Sequence, residues 1–369
     1  MNDPTDAGTG GPLSGLRIVE FAGIGPAPFA GMVLADFGAE VTVIERPGGE
    51  TRLGGGAALN RGKTVVEADL KSAAGLARVR DLVAQADALV EGFRPGVMER
   101  LGLGPDTLLA AHPRLVYARL TGWGQTGPLA RTAGHDINYV ALTGLMPFAA
   151  RPGQAPALAA TLLGDIGGGA LTMLFGLMCA LWESKRSGRG QVIDAAIVDG
   201  VGYMGTLIQA LRAGGHWNDD PSGNFFLHRS HFYECFECAD GRWLSLGAIE
   251  APFYDELIRR LELPPPLPQD DPAQWPALRE RVAARIRERT LAHWVARFED
   301  SDACVAPVLT AAEAPHHPHQ QARRNFFTQH GHAWPMPAPK LSRTPATPGA
   351  AAARNLDDRV SGEDDIRPE

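Results

Sequence analysis

Between residues 14 and about 195 the chain alternates short β-branched runs with helical stretches, and this alternation restricts the fold more than any other feature. "LRIVEF" (16–21) gives way to a helical stretch at about 28–37 and then to "VTVI" (41–44). The pattern continues through "KTVVEADL" (63–70), "AGLARVRDLVAQA" (74–86), "DALVEGF" (87–93), "PDTLLAAH" (105–112), "RLVYARLTGWG" (114–124) and "GQVIDAAIVDG" (190–200). Strands separated by helices cannot close as tight hairpins, so the reading is an α/β fold with a parallel sheet covered by helices.

The first strand runs into "FAGIGPAPFAGM" (21–32), which looks like a dinucleotide-binding turn. A Gly-x-Gly-x-x-Gly fingerprint needs glycine at 23, 25 and 28, and position 28 is proline. The third glycine allows close helix–strand packing that proline does not, whereas Pro28 suits the first turn of a helix. Glu45 stands where a ribose-binding acid would, but Arg46 follows it directly. The unit is Rossmann-like with an altered ligand site, and NAD is not expected.

The character changes near "HWNDDPSGNFF" (216–226), where a second region begins. "HFYECFECADGRWLSLGA" (231–248) reads as two strands around the turn Ala239-Asp-Gly-Arg242, followed by helical stretches at about 252–262 and 274–299. The expected organisation is a large domain over 1–200, completed by the proline-rich return at 335–369, and a smaller α+β domain over 225–320. A linker helix (201–224) and a return linker (321–334) join them.

A formal charge of −7 over 369 residues argues against general nucleic-acid binding, so any anion site must be a local cluster. Four cysteines (179, 235, 238 and 304) do not make a disulfide framework. The start, "MNDPTDAGTGG", has neither the basic nor the apolar region of a signal peptide and reads as a disordered arm; the end is read as a weakly ordered acidic tail, and a cytoplasmic location is expected. "IGGGALTMLFGLMCALW" (166–182) has no charge and stands at the lower edge of a membrane span. The charges that bound it favour a fully buried central helix, and no membrane partner is expected.

Three polar clusters are candidates for chemistry. "AGHDINYVALTG" holds Gly134, His135, Asp136, Asn138 and Tyr139; it fits either a helix start capped by Asp136 or a site with His135 as a base. "LLGDIGGGALTML" places Asp165 as an N-cap before a glycine-rich helix start, where free backbone N–H groups suit a developing oxyanion. In "HRSHFYECFEC", His228, His231, Cys235 and Cys238 are zinc-type ligands. Period 2 along a strand sends the two cysteines to opposite faces, so no metal is expected.

Over nearly its whole length the chain resembles the alpha-methylacyl-CoA racemases of the class III CoA-transferase superfamily. The matching stretches are "PLSGLRIVEFAGIGPAPFAGMVLADFGAEV", "EGFRPGVMERLGLGP", "GWGQTGP", "AGHDINYVALTG", "GDIGGG", "ECADGRWLSLGAIE", "SDACVAPVL" and "MPAPKLSRTP". The resemblance implies an interlocked homodimer, with His135 and Asp165 as the acid/base pair across the acyl-CoA α-carbon and Glu250 as partner of the histidine. It implies CoA contacts from Arg46, from Glu67, Ala68, Asp69 and Leu70, from Arg94 and Arg100, and from Gly134, Asp136, Ile137, Asn138 and Tyr139. No cofactor is implied, because CoA is part of the substrate. The rival within the superfamily is a CoA-transferase with Asp165 as nucleophile. One stretch departs from the pattern: racemases commonly read close to "LDGGAPFY" where this chain reads "LHRSHFY" (227–233). In the family that loop borders the acyl pocket, so His228, Arg229 and His231 are expected either to reshape the pocket or to face water.

Overall fold

The computed structural model describes residues 11–49, 56–149, 151, 154–159, 161–218, 220, 223–349 and 354–355; the N-terminal arm (1–10) and the tail beyond 355 lie outside these. Six strands, β1 (Arg17–Phe21), β2 (Glu40–Glu45), β3 (Thr64–Glu67), β4 (Ala88–Glu91), β5 (Val116–Thr121) and β6 (Val192–Ala196), form a parallel sheet in the order β3-β2-β1-β4-β5-β6. The pair Arg354–Asn355 adds in parallel outside β3. β4 is buried along its whole length and β5 along all but its last residue, the mark of a sheet covered on both faces. Connection order reverses beside β1, so the chain departs in opposite directions after β1 and β4 and leaves a crevice at their carboxyl ends.

Helices α1 (Pro26–Asp36), α2 (Ala73–Ala84) and α3 (Pro105–Ala111) connect the strands. Pro26 and Pro28 open α1, where their missing N–H groups cost nothing, and Ser72 caps α2 by accepting the Gly75 N–H at 3.0 Å. Beneath α1 lies a sealed ion pair: Lys63 Nζ donates to Glu20 Oε2 at 2.7 Å and to the Pro28 carbonyl at 2.9 Å, with both side chains at most 1 % exposed. Burial pushes Glu20 up to about 7 against the pull of Lys63, and it pushes the Lys63 ammonium down. Near α1's end, Asp36 pairs with Arg61 and accepts the Gly349 N–H at 3.1 Å, which ties the proline-rich return to the sheet unit.

Two further helices shape the sheet's far side, α4 (Asp136–Ala141) and the long α5 (Leu162–Ser187). α5 was expected to be fully buried, and within this chain it is not. Met173, Leu177, Ala180 and Leu181 pack inward, whereas Leu171, Phe175 and Trp182 are 51 %, 74 % and 68 % exposed. Its Thr172–Ser187 part lies against β5 and β6, and its outward apolar side chains have no cover among the described residues. After β6 come α6 (Ile197–Met204) and α7 (Thr206–Ala213).

The chain forms two compact units, residues 1–145, 158–205 and 335–369 in the first, and 146–157 with 206–334 in the second. In the second, β7 (Tyr233–Glu237), β8 (Trp243–Gly247) and β9 (Val305–Pro307) make an antiparallel sheet, with Gly241 at φ 74 in the hairpin turn. It packs with α8 (Ala251–Leu261), α9 (Trp275–Arg287) and α10 (Leu291–Phe298) around Phe232, Trp275 and Trp294. Residues 146–157 join this unit through Phe148, edge-on to Trp217 at 5.1 Å.

His231 is sealed in this core. Tyr254 Oη donates to the Leu267 carbonyl at 2.9 Å and so accepts from His231 Nε2 at 2.5 Å, which leaves the buried Nδ1 without a partner. The imidazole is therefore neutral, and burial, aided by Arg281, pushes it down to about 4. A histidine held below its unfolded value contributes stability that is complete above about pH 6.5 and is lost as pH falls toward 4. A His231→Gln variant is expected to show a flatter decline in urea midpoint between pH 7 and pH 4.5 than the parent protein.

Candidate active site

Two adjoining cavities open at the carboxyl ends of the strands. One, of about 850 Å³, lies over β1, β2 and β3 and is lined by Arg46, Ala68, Asp69, Leu70 and Lys71. The other, of about 290 Å³, lies over β4 and β5 and is lined by Arg94, Trp123, Gly134, His135, Tyr139 and Asp165. Ile24 and Phe93 line both, so the two form one elongated crevice across the point where the strand order reverses.

His135 is the N-cap residue of α4, not an interior helical residue, and its own N–H donates to Asn138 Oδ1 at 3.0 Å. Tyr139 folds back, its hydroxyl donating to the Gly134 carbonyl, and stands edge-on to Trp123 at 4.8 Å. Asp136 was one candidate cap for this helix; it caps another. Its Oδ1 accepts the backbone N–H of Asp165 at 2.8 Å, 29 residues away. Gly164 makes this contact possible, because a Cβ there would come within 2.2 Å of Asp136 Oδ1.

Asp165 was expected to be the N-cap of the glycine-rich helix and instead lies inside its first turn. α5 starts at Leu162 and its first ten residues are wound as a π-helix, with the Ile166 N–H bonded to the Thr161 carbonyl at 3.0 Å. Such i→i+5 winding is rare and concentrates at functional sites. It is accommodated because Gly168 and Gly200 let α5 and α6 touch backbone to backbone; a Cβ on Gly200 would sit 1.9 Å from the Gly168 oxygen. The same geometry overturns one expectation: the Asp165 N–H is not free for an oxyanion, since Asp136 holds it. Burial pushes the Asp165 carboxyl up to about 6, the Asp136 charge adds to the rise, and His135 opposes it.

The loop after β4 is fixed by a buried network that the sequence did not disclose. Glu91 Oε2 accepts the Phe93 N–H at 2.7 Å, and Arg119 joins Glu91 at 2.8 Å to Glu99 at 2.7 Å. Burial raises the Glu91 carboxyl despite these partners. Arg94 is thereby carried to the cavity wall, next to Phe93.

Not every expected residue lines the crevice. Glu67, Arg100, Asp136, Ile137 and Asn138 do not, and Arg100 extends along Gly96. Lys71 and Trp123 do and were not singled out; Lys71 follows the expected Glu67–Leu70 stretch directly, which was the available signal. In the second unit Glu250 is the exposed residue before α8. The "LHRSHFY" stretch does not present its histidines as expected: His231 is in the core, and His228 Nδ1 donates to Glu234 at 3.1 Å. Among the described residues no three His, Cys, Asp or Glu side chains gather as a metal-binding group.

Comparison with known proteins gives consistent results. The family model described as CoA-transferase family III matches residues 13–355. The chain is 45 % identical over 344 residues to the alpha-methylacyl-CoA racemase of Mus musculus, covering 92 % of this chain and 88 % of that protein. It is 42 % identical to the racemase of Homo sapiens, covering 91 % and 88 %. Among solved structures, a CAIB/BAIF family protein from Brucella suis superposes with a TM-score of 0.81 at 26 % identity, covering 96 % of this chain and 99 % of that one.

Proposed function

The chain belongs to CoA-transferase family III, and from that premise we propose that it is an isomerase interconverting (2R)- and (2S)-2-methylacyl-CoA thioesters. The observation that carries this reading is the pairing of His135 and Asp165 on the wall of one cavity, with the Asp165 carboxyl held near neutrality. An α-proton beside a thioester is far less acidic than any side chain, so its removal needs a base, a facing acid and stabilisation of the enolate oxygen. A carboxyl pushed up to about 6 lies close enough to neutrality to serve as either acid or base opposite the His135 imidazole. One removes the α-proton, the other returns a proton to the opposite face, and the configuration inverts.

CoA would run along the crevice, its phosphates toward Arg46, Lys71 and Arg94, whose guanidinium and ammonium groups suit phosphate. No cofactor is needed beyond the CoA of the substrate. We assign Glu250 as the residue that orients His135, supplied within a homodimer. The exposed apolar residues Leu171, Phe175 and Trp182 on α5 support burial of that face by a second copy, and the location proposed is cytoplasmic.

The test is proton NMR in D2O with (2R)-2-methylacyl-CoA and no acceptor acid. Loss of the α-proton signal with appearance of the S epimer is expected. If nothing exchanges until a carboxylic acid is added, and CoA then moves to it, the protein is a transferase with Asp165 as nucleophile.

A further inference from the structure

The second unit gathers more positive charge around one carboxylate than that carboxylate needs. Glu234, on β7, has a side chain only 1 % exposed. Arg151 grips it with two bonds, Nη1 to Oε2 at 3.1 Å and Nη2 to Oε1 at 3.0 Å. The Cys235 N–H adds a third at 2.7 Å. A carboxylate offers about four acceptor positions, and a two-pronged guanidinium with one N–H already fills three of them while one cation balances its charge. Yet Arg279 Nη2 also reaches Oε2 at 2.9 Å, and His228 Nδ1 reaches Oε1 at 3.1 Å.

The four groups come from three distant stretches: residue 151, residues 228–234, and α9. Two arginines against one glutamate leave a formal excess of positive charge before His228 is protonated. The carboxylate is sealed, whereas Arg151, Arg279 and His228 are 40 %, 29 % and 33 % exposed, so the cationic side of the cluster is the open one. Arg279 Nε is buried without an acceptor, and so is Nε of Arg229, next to His228 in the chain. His228 is also held at φ 57, a left-handed conformation that is unfavourable for a non-glycine residue. Charge balance in a structural ion pair needs no second guanidinium, and its hydrogen bonding needs no strained histidine as a fifth donor.

We propose that Arg151, Arg279 and His228 form a carboxylate-binding site on the second unit, with Glu234 as the fixed counter-charge that splays them. The ligand is the carboxylate of a small organic acid, either free or at the end of an acyl chain. This assignment stands on the cluster itself and does not depend on the racemase reading.

Thermal melting of the full chain tests it, at constant ionic strength. Succinate should raise the melting temperature saturably, with chloride producing no shift and phosphate a smaller one. Succinyl-CoA and butyryl-CoA differ by the terminal carboxylate. If the acyl chain is the source, succinyl-CoA stabilises more; if the free acid is, succinate alone does so and the two thioesters match. In either case Arg279→Lys and Arg151→Lys, which keep the charge but remove the fork, should each weaken the effect about tenfold, the loss of one charge-assisted hydrogen bond. Melting without ligand reports whether each variant folds. The proposal is overturned if neither succinate nor the succinyl group adds stability, if phosphate matches succinate, or if the effect survives in both lysine variants.

Discussion

Asp165→Asn is expected to lower racemisation of a 2-methylacyl-CoA by about 10³-fold, within the range for loss of a general acid or base, with little change in KM. The amide keeps the shape of the side chain against Gly25 but neither takes nor gives the α-proton. His135→Ala should be equally inactive in inversion. The two variants should differ in what remains, because each keeps one base facing one side of the α-carbon. In D2O each should retain slow exchange of the α-proton in one epimer and none in the other, with opposite preferences. Equal exchange of both epimers in either variant would remove the two-base assignment. A stability effect accompanies the change. A carboxyl held at about 6 in the folded state and near 3.8 unfolded favours folding below about pH 4, and that contribution is lost as pH rises through 6. Asp165→Asn should therefore melt higher than the parent at pH 8, with the difference vanishing near pH 4.

Lys63→Met should be the most destabilising single change in the sheet unit, costing about 3–5 kcal/mol at pH 8, the range for breaking a buried ion pair. The variant strands Glu20 beneath α1, where Oε1 already lacks a partner and a Cβ on Gly31 would lie 1.7 Å from Oε2. It also frees the Pro28 carbonyl, and with it the first turn of the helix that starts beside Asp165. Because burial disfavours the Glu20 carboxylate and tolerates the protonated acid better, the penalty should shrink at pH 5. Adding Glu20→Gln should recover most of it. Urea titrations at the two pH values decide the matter; a single variant as stable as the parent at pH 8 would show that the pair contributes nothing.

The parallel sheet was legible because short, mostly apolar runs such as 41–44 and 116–120 alternate with helical stretches and turn residues separate them. The failed glycine fingerprint was legible for the same local reason: one proline at position 28. What escaped depends on contacts between distant segments. No local signal says that Asp136 reaches across 29 residues to the Asp165 N–H, or that Glu91, Arg119 and Glu99 close a network behind Phe93. The reading of α5 failed for a related reason. An uncharged run reports that a helix is apolar, and does not report which of its faces this chain packs against.

The wide winding of residues 162–171 also decides which changes in length the chain can absorb. Downstream, the helix is pinned by the backbone contact between Gly168 and Gly200; upstream, it is held by the bond from the Asp165 N–H to Asp136. Losing a single residue between Ile166 and Gly168 would let this segment relax to ordinary α-helical pitch. Everything before the deletion would then rotate by about 100°, one residue's share of an α-helical turn. Asp165 would leave the crevice, and its N–H would part from Asp136. Such a deletion would leave the cleft without its carboxylate, whereas an exchange at Leu162, Leu163 or Ile166 keeps the winding that aims it.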